Sequence, residues 1–410
     1  MLKKKVCRMC GHDKFDQVID FGMSPLVNSL LDSKDSKEEV YPLEVVRCQK
    51  CSLVQTKDPI DTDKVYVNQD YLYYTGDMPQ DSQYMKSFDS LVYQLHRYCG
   101  PGDLVIEIGS NDGTILKKLA IDPVVVLGVD PAVNVVMRAL KNGVPTLSAP
   151  FNKKVALDIK KELGFAKVIG GANCLAHIDD LDSVMEGVKE LLMDDGVFWV
   201  ECNYWGGMVE HNHYALIYHD HLSYFTLQNW VDYLPKFGLK VFDAQITEAQ
   251  GNGLSIRIFA SKEEKPTSER MEELLKEEKE TGLNNQKACK KFKEGVEEKA
   301  LKLNKLVSDF KKQGKKIAGY GAAAKGFSIL HLAKINEKHI DYFVDDSPAK
   351  QGKYCPITHI PVISRKEAEE KLPDYFFITA PNYVQTIMAK EQKFLDNGGK
   401  FILEDGEVIG

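Results

Sequence analysis

The segment Tyr218-His219-Asp220-His221-Leu222-Ser223-Tyr224-Phe225 puts two imidazoles, a carboxylate and two phenols within eight residues. Imidazole, with an ordinary pKa near 6.5, takes and returns protons around neutrality, and a carboxylate or phenol beside it can orient the ring or carry charge. Upstream stands Glu107-Ile108-Gly109-Ser110-Asn111-Asp112-Gly113, whose glycines let backbone N–H groups approach a ligand where a side chain would clash. Asp130 follows Glu107 by 23 positions, at the end of the next apolar run, where a carboxylate can grip ribose hydroxyls. Such a site could take a dinucleotide or S-adenosylmethionine. The Glu-x-Gly-x-x-x-Gly form lacks the three-glycine phosphate turn and a sulfonium donor has no pyrophosphate to cradle, so the methyl donor fits better. A donor site followed by a cluster of bases points to proton abstraction from an acceptor and then methyl transfer.

Other residues extend the pattern. Gly170-Gly171-Ala172-Asn173-Cys174-Leu175-Ala176-His177 stands at a predicted strand exit, which brings Asn173 and His177 to the crevice where ligands sit. An isolated His177 would more often be a core or capping histidine, and its place at a strand exit argues for the site. Tyr71, Tyr73 and Tyr74 fit ordinary aromatic packing or a phenol that holds an enolate oxygen. His211 and His213 could join His219 and His221 as metal ligands, but the carboxylate between the last pair and the lack of a His-Glu-x-x-His helix suit acid/base work better. Gly319-x-Gly321, with Lys325, Gly326 and Asp345 24 positions after Gly321, resembles a dinucleotide fingerprint, which keeps a nicotinamide-dependent sugar oxidoreductase as an alternative. Ala324 replaces its third glycine, and the turn suits capture of a diphosphate equally well.

Two Cys-x-x-Cys pairs, Cys7 with Cys10 and Cys48 with Cys51, can set four thiolates around one ion. The other five of nine cysteines are scattered, which argues against a disulfide framework and for structural zinc in a reducing compartment. A closed four-thiolate site leaves no position for catalysis.

The elements that must position these groups read as an α/β chain. Residues 1–70 form a zinc-binding module. Residues 71–261 form a Rossmann-like methyltransferase domain, with strands at Leu104–Ile108, Val124–Val129, Lys167–Ile169 and Val197–Val200 and a late, alternating strand at Gly253–Phe259. Residues 262–410 hold a helical connection, with Ala300, Leu303, Leu306, Val307 and Phe310 at helical spacing, and then a second Rossmann-like domain with strands at Lys316–Tyr320, His339–Asp345 and Tyr375–Thr379.

The ordered set of Cys-x-x-Cys pairs, Glu-Ile-Gly-Ser-Asn-Asp-Gly, Tyr-His-Asp-His-Leu-Ser-Tyr-Phe, Gly-Tyr-Gly-Ala-Ala-Ala-Lys-Gly and Val-Asp-Asp-Ser-Pro-Ala-Lys-Gln-Gly-Lys resembles the sugar C-methyltransferases of deoxysugar biosynthesis over almost the whole chain. The resemblance implies an acceptor that is a nucleotide-linked 4-keto sugar, methylated next to its keto group. It also implies that Gly109, Asp112 and Asp130 bind the donor and that His221 is the base; Glu107, Asn111 and Gly113 of the same turn, and Asn173 at the strand exit, are expected to join the donor site. Tyr218, Asp220 and His177 would position the sugar or stabilise its enolate, and Tyr73, Tyr74, His219, Tyr224, Gly321 and Lys325 would contact substrate. Where that family shows His-Glu-His this chain has His219-Asp220-His221, one methylene shorter, and Glu201-Cys202-Asn203-Tyr204-Trp205 replaces a proline-containing segment.

With 410 residues, 43% hydrophobic content, net charge −7 and pI about 5.9, the chain is expected to be globular and offers no general electrostatic footprint for nucleic acid or an anionic membrane. No apolar run approaches the roughly 20 residues that span a bilayer. The Met1–Cys7 start meets a cysteine before any signal-type segment, so a cytoplasmic location is expected. The oligomeric state is left open, a monomer being sufficient.

Overall fold

The computed structural model describes residues 5–27, 29–61, 63–66, 71, 73–120, 123–249, 254–380 and 383–410; Met1–Lys4, Asp70 and Gly253, used in the sequence reading, lie outside them. Packing groups the chain into two units that do not follow its order. One comprises Met1–Asp16, Val46–His211 and Leu222–Cys289, the other Gln17–Val45, Asn212–His221 and Lys290–Gly410.

The first unit is built on seven strands: β1 (Leu104–Ile108), β2 (Val125–Asp130), β3 (Thr146–Ser148), β4 (Ala166–Ala172), β5 (Leu192–Asn203), β6 (Lys240–Thr247) and β7 (Ser255–Ser261). Their spatial order is β6-β7-β5-β4-β1-β2-β3. β1 to β5 are mutually parallel where they pair, and β7 runs antiparallel to both neighbours. Helices α1 (Gln83–Leu95), α2 (Thr114–Leu119), α3 (Val133–Lys141), α4 (Lys153–Leu163) and α5 (Leu181–Leu191) flank the sheet, the last four as crossovers. β1 reads as an apolar run because all five of its residues are buried, as both faces of a parallel sheet must be. α1 starts at Ser82, whose side chain accepts from the Met85 N–H, and buries Met85, Phe88, Leu91 and Leu95 at helical spacing against Val105, Trp199 and Phe259. The strand order reverses between β4 and β1, the switch point where α/β sheets open a crevice.

The alternation read in β7 does not mark a wet face: all seven residues are buried. Its cation, Arg257, is fully buried and donates from Nε to Glu201 Oε2 at 2.8 Å and from Nη2 to the Ser87 carbonyl at 2.8 Å, which ties β7, β5 and α1 together. Glu201 is equally buried, and burial raises its carboxyl against the pull of Arg257. Arg257→Met strands that carboxylate, and urea denaturation should register a loss of about 3–5 kcal/mol. A loss below about 1 kcal/mol would contradict this reading of the pair.

The second unit contains a six-stranded sheet of β8 (Ile317–Tyr320), β9 (Phe343–Val344), β10 (Val362–Ile363), β11 (Tyr375–Ile378), β12 (Lys400–Ile402) and β13 (Val408–Ile409), in the order β10-β9-β8-β11-β12-β13. All pairs are parallel except the last. The charged 262–316 segment is a helix pair, α6 (Glu269–Glu280) and α7 (Gln286–Lys312). On α7, Ala300, Leu303 and Val307 are buried, and Phe310 stacks on Tyr375 at 4.2 Å. Of the strand expected over His339–Asp345, Phe343–Val344 is regular and inter-strand hydrogen bonds run from Asp341 to Asp345, while the N–H groups of His339 and Ile340 are drawn into a turn on the Asn336 carbonyl.

Candidate active site

A cavity of about 680 Å³ opens in the first unit, lined by the β1 turn, the β2 and β4 exits and a tyrosine-rich segment. Gly109 has φ +65°, and a Cβ there would lie 2.4 Å from that of Cys174, so the β1–β4 approach requires glycine. Gly113, at φ +79°, precedes α2 and faces Val144 at 2.8 Å from an added Cβ, and it does not line the cavity.

Glu107, Gly109, Asn111, Asp130 and Asn173, read as donor contacts, and His177, read as a sugar-positioning residue, line this one cavity. Glu107 is 3% exposed, and its Oε2 has no hydrogen-bond partner among the described residues. Burial first, and then the charges of Asp130 and Asp112, push its carboxyl well above the ordinary range. Asp130 is held by two N–H groups, those of Asn111 at 3.0 Å and Ala132 at 2.9 Å; burial raises its pKa and these bonds oppose the rise. Asn173, with φ +55°, donates to the Tyr84 hydroxyl at 3.1 Å, and its buried Oδ1 has no partner among the described residues. His177 Nδ1 lies 2.8 Å from the Tyr66 hydroxyl.

Asp112 has a different task. Its side chain is fully buried and does not line the cavity; Oδ2 accepts from the Gly76 N–H at 2.9 Å and Oδ1 from the Thr114 hydroxyl at 2.7 Å. Tyr71 and Tyr73 line the cavity, whereas Tyr74 turns its hydroxyl to Asn134 at 2.7 Å.

The His-Asp-His stretch lies in the second unit, the division of the chain falling between His221 and Leu222. Within the second unit, Tyr218 to His221 forms a tight turn closed by the His221 N–H on the Tyr218 carbonyl at 3.0 Å. His221 Nδ1 lies 2.6 Å from the Leu216 carbonyl, which can only accept, so Nδ1 carries the hydrogen and Nε2 the lone pair. Nε2 faces the Tyr218 hydroxyl at 2.9 Å, and the rings lie 4.1 Å apart. Asp220 is 5% exposed. His219 turns to the Tyr41 carbonyl at 3.3 Å, and burial pushes its pKa down to about 4, which holds it neutral at neutral pH. Leu222, within the first unit, donates to the Ala176 carbonyl at 2.7 Å, one residue before His177. Tyr224 is fully buried on a short strand paired with Val54 and lies outside the cavity lining.

In the second unit, Gly321 has φ +92°. Asp345 accepts from the N–H groups of Ala322 at 2.7 Å and Ser347 at 2.9 Å and from Lys350 at 3.2 Å. Lys325, half-buried at the start of α8 (Ala324–Leu332), has its pKa pushed down to about 8 by burial, against the pull of Glu404. Glu404, which no sequence motif marks, takes His213 Nδ1 at 2.9 Å and lies 4.0 Å from Lys299. Burial works to raise its carboxyl, but His213, Lys299 and Lys325 outweigh it and hold the group below its ordinary range. His213 is thus paired with a carboxylate, and the metal-ligand alternative for it has no cluster among the described residues.

The ligand sulfurs of Cys7, Cys10, Cys48 and Cys51 all lie within 4.8 Å of one another, with Cys7–Cys51 at 3.4 Å and Cys10–Cys48 at 3.5 Å. A tetrahedron with Zn–S bonds of about 2.3 Å needs such edges, so the four thiols fit zinc and leave it no open position. Arg8, inside the first knuckle, is buried and donates to the carbonyls of Thr56 at 2.8 Å and Leu222 at 3.0 Å and to Asp179 at 3.1 Å. The knuckle therefore fixes the residue that follows His221 and a carboxylate of the cavity wall.

The cavity fits S-adenosylmethionine. Its unpartnered Glu107 and Asn173 oxygens call for the hydroxyl and amino donors that this molecule carries, its acids suit a sulfonium charge, and its volume lies in the ordinary range for such ligands. Fold and cavity together define a methyltransferase.

Three family models match the chain: a zinc-binding domain at 7–66, a methyltransferase domain at 82–244 and a C-methyltransferase C-terminal domain at 250–404. The C-methyltransferase NovU of Streptomyces niveus is 33% identical over 399 residues, which cover 97% of this chain and 94% of NovU. The chain belongs to the C-methyltransferase family. Among solved structures, magnesium protoporphyrin IX methyltransferase from Synechocystis PCC 6803 is 15% identical with a TM-score of 0.34, over 43% of this chain and 82% of that one. A S-adenosylmethionine-dependent methyltransferase from Clostridium acetobutylicum is 13% identical with a TM-score of 0.33, over 45% and 93%. Among the described residues no helix is long and apolar enough to cross a membrane.

Proposed function

We propose that this C-methyltransferase methylates the carbon next to the keto group of a nucleotide-linked 4-keto deoxysugar, with His221 as the base. The reading rests on the tautomer of His221: Leu216 holds the hydrogen on Nδ1, so Nε2 is the atom with a lone pair to give. Bound S-adenosylmethionine would supply a methyl group on a positively charged sulfur. A carbon beside a ketone is not nucleophilic until it loses a proton. In the proposed reaction that proton passes to His221 Nε2, the electron pair spreads onto the keto oxygen, and the same carbon forms a bond to the methyl group as the carbon–sulfur bond breaks.

Tyr218, bonded to Nε2, is the proposed holder of the ring and a phenol that can move to the enolate oxygen. Asp220 and His177 are proposed sugar-positioning groups, and Tyr73 the acceptor wall. Glu107, Gly109, Asn111, Asp130 and Asn173 are the proposed donor contacts. In this reading residues 1–70 hold the metal, 71–261 the donor, and 262–410 take the nucleotide end, with Gly321 and the Lys325 ammonium set to meet the diphosphate.

Incubation with carbon-13 methyl S-adenosylmethionine and a panel of thymidine and uridine diphosphate 4-keto sugars tests the reading. A labelled methyl coupled to a ring carbon in the product spectrum supports it. A methyl with an oxygen- or nitrogen-bound shift, or no transfer to any keto sugar, overturns it.

A further inference from the structure

Asn134 stands on α3, four positions after Asp130, and nothing in its sequence context marks it. Val135, Val136 and Ala139 bury the other side of this helix, which leaves Asn134 and Arg138, four apart, on one face. The Asn134 carboxamide matches the main chain of Tyr71: Oδ1 accepts its N–H at 3.3 Å and Nδ2 donates to its carbonyl at 2.9 Å. Nδ2 also reaches the Tyr74 hydroxyl at 2.7 Å. Arg138 covers the Tyr74 ring at 4.4 Å and donates to Asp77 at 3.0 Å.

The donor turn grips the same segment. Asn111 accepts the Thr75 N–H at 3.0 Å and donates to the Tyr73 carbonyl at 3.0 Å, and Asp112 accepts the Gly76 N–H at 2.9 Å. Tyr71 and Tyr73–Asp77 thus hang between α3 and the turn after β1, and they bring the Tyr71 and Tyr73 rings to the cavity wall. A carboxamide alone among side chains of this size offers one acceptor and one donor to a single residue's main chain.

We propose that Asn134 is a positioning residue for methyl transfer: it clamps Tyr71 and sets the acceptor-side tyrosines against the donor turn, without itself binding donor. The identity of the acceptor rests on the function proposed above; the clamp does not. Asn134→Asp keeps the shape and the acceptor but turns an oxygen toward the Tyr71 carbonyl, Asn134→Ala removes both bonds, and Asn134→Gln retains an amide.

Two measurements need no acceptor: S-adenosylhomocysteine affinity by calorimetry, and amide exchange of 71–77 by mass spectrometry. In Asn134→Asp and Asn134→Ala that segment should exchange about tenfold faster, with affinity held within about twofold and partial recovery in Asn134→Gln. If the alanine variant misfolds, Asn134→Asp and Tyr74→Phe carry the comparison. Unchanged exchange in Asn134→Asp overturns the proposal, as does a fall in S-adenosylhomocysteine affinity equal to the fall in turnover. With a thymidine diphosphate 4-keto sugar, kcat/KM for the acceptor should drop about tenfold or more while KM for S-adenosylmethionine stays within about twofold. If the native enzyme methylates no keto sugar, the acceptor reading fails, and the exchange result still decides the role of Asn134.

Discussion

His221→Ala is expected to lower turnover by about 10²–10⁴-fold, the range a positioned general base supplies, and to leave S-adenosylhomocysteine affinity unchanged. The expected separation follows from placement. No residue of the Tyr218–His221 turn lines the cavity, whose walls belong to the first unit. Tyr218→Phe should cost less, because it deletes the hydroxyl at Nε2 while Leu216 still holds the ring and its hydrogen. Single-turnover kinetics with saturating donor, beside calorimetry, measures both quantities. Native turnover in His221→Ala would remove it from the chemistry, and a parallel collapse of donor affinity would make it a structural residue.

Loss of the metal should be nearly as severe. Structural zinc contributes about 10–16 kcal/mol in small modules, as much as a whole domain's usual margin of about 5–15 kcal/mol. The consequence extends past the knuckles, because Arg8 between Cys7 and Cys10 secures the Leu222 carbonyl and Asp179. Cys48→Ser should therefore bind less than one zinc per chain, expose the first 60 or so residues to protease and lose most methyl transfer. Elemental analysis, limited proteolysis and turnover on the same preparation test this. Full activity in a zinc-free, protease-sensitive sample would contradict the link from knuckle to site.

The sequence declared what depends on local chemistry. The buried run of β1, the glycines at 109 and 113 and the acid at the end of β2 announce the donor turn, because a parallel strand and a close backbone approach restrict the residue types allowed. The paired cysteines announce the metal site for the same reason. What stayed hidden depends on partners distant in the chain. Asp112 reads as a donor ligand until its carboxylate is seen on the Gly76 N–H. Arg8, Asn134 and Glu404 carry no local signature, since each is defined by bonds to segments between 48 and 214 residues away or by a main chain it happens to match. The apolar pattern of His339–Asp345 cannot reveal the Asn336 turn that takes His339 and Ile340 out of the strand.

The most direct test of the account is solvent exchange at the acceptor carbon. In deuterium oxide, with S-adenosylhomocysteine in place of the donor and a thymidine diphosphate 4-keto sugar as acceptor, the native protein should wash deuterium into the carbon next to the ketone, and His221→Ala should not. Equal exchange in both proteins, or none in a native protein that transfers methyl groups to that sugar, would contradict proton removal by His221.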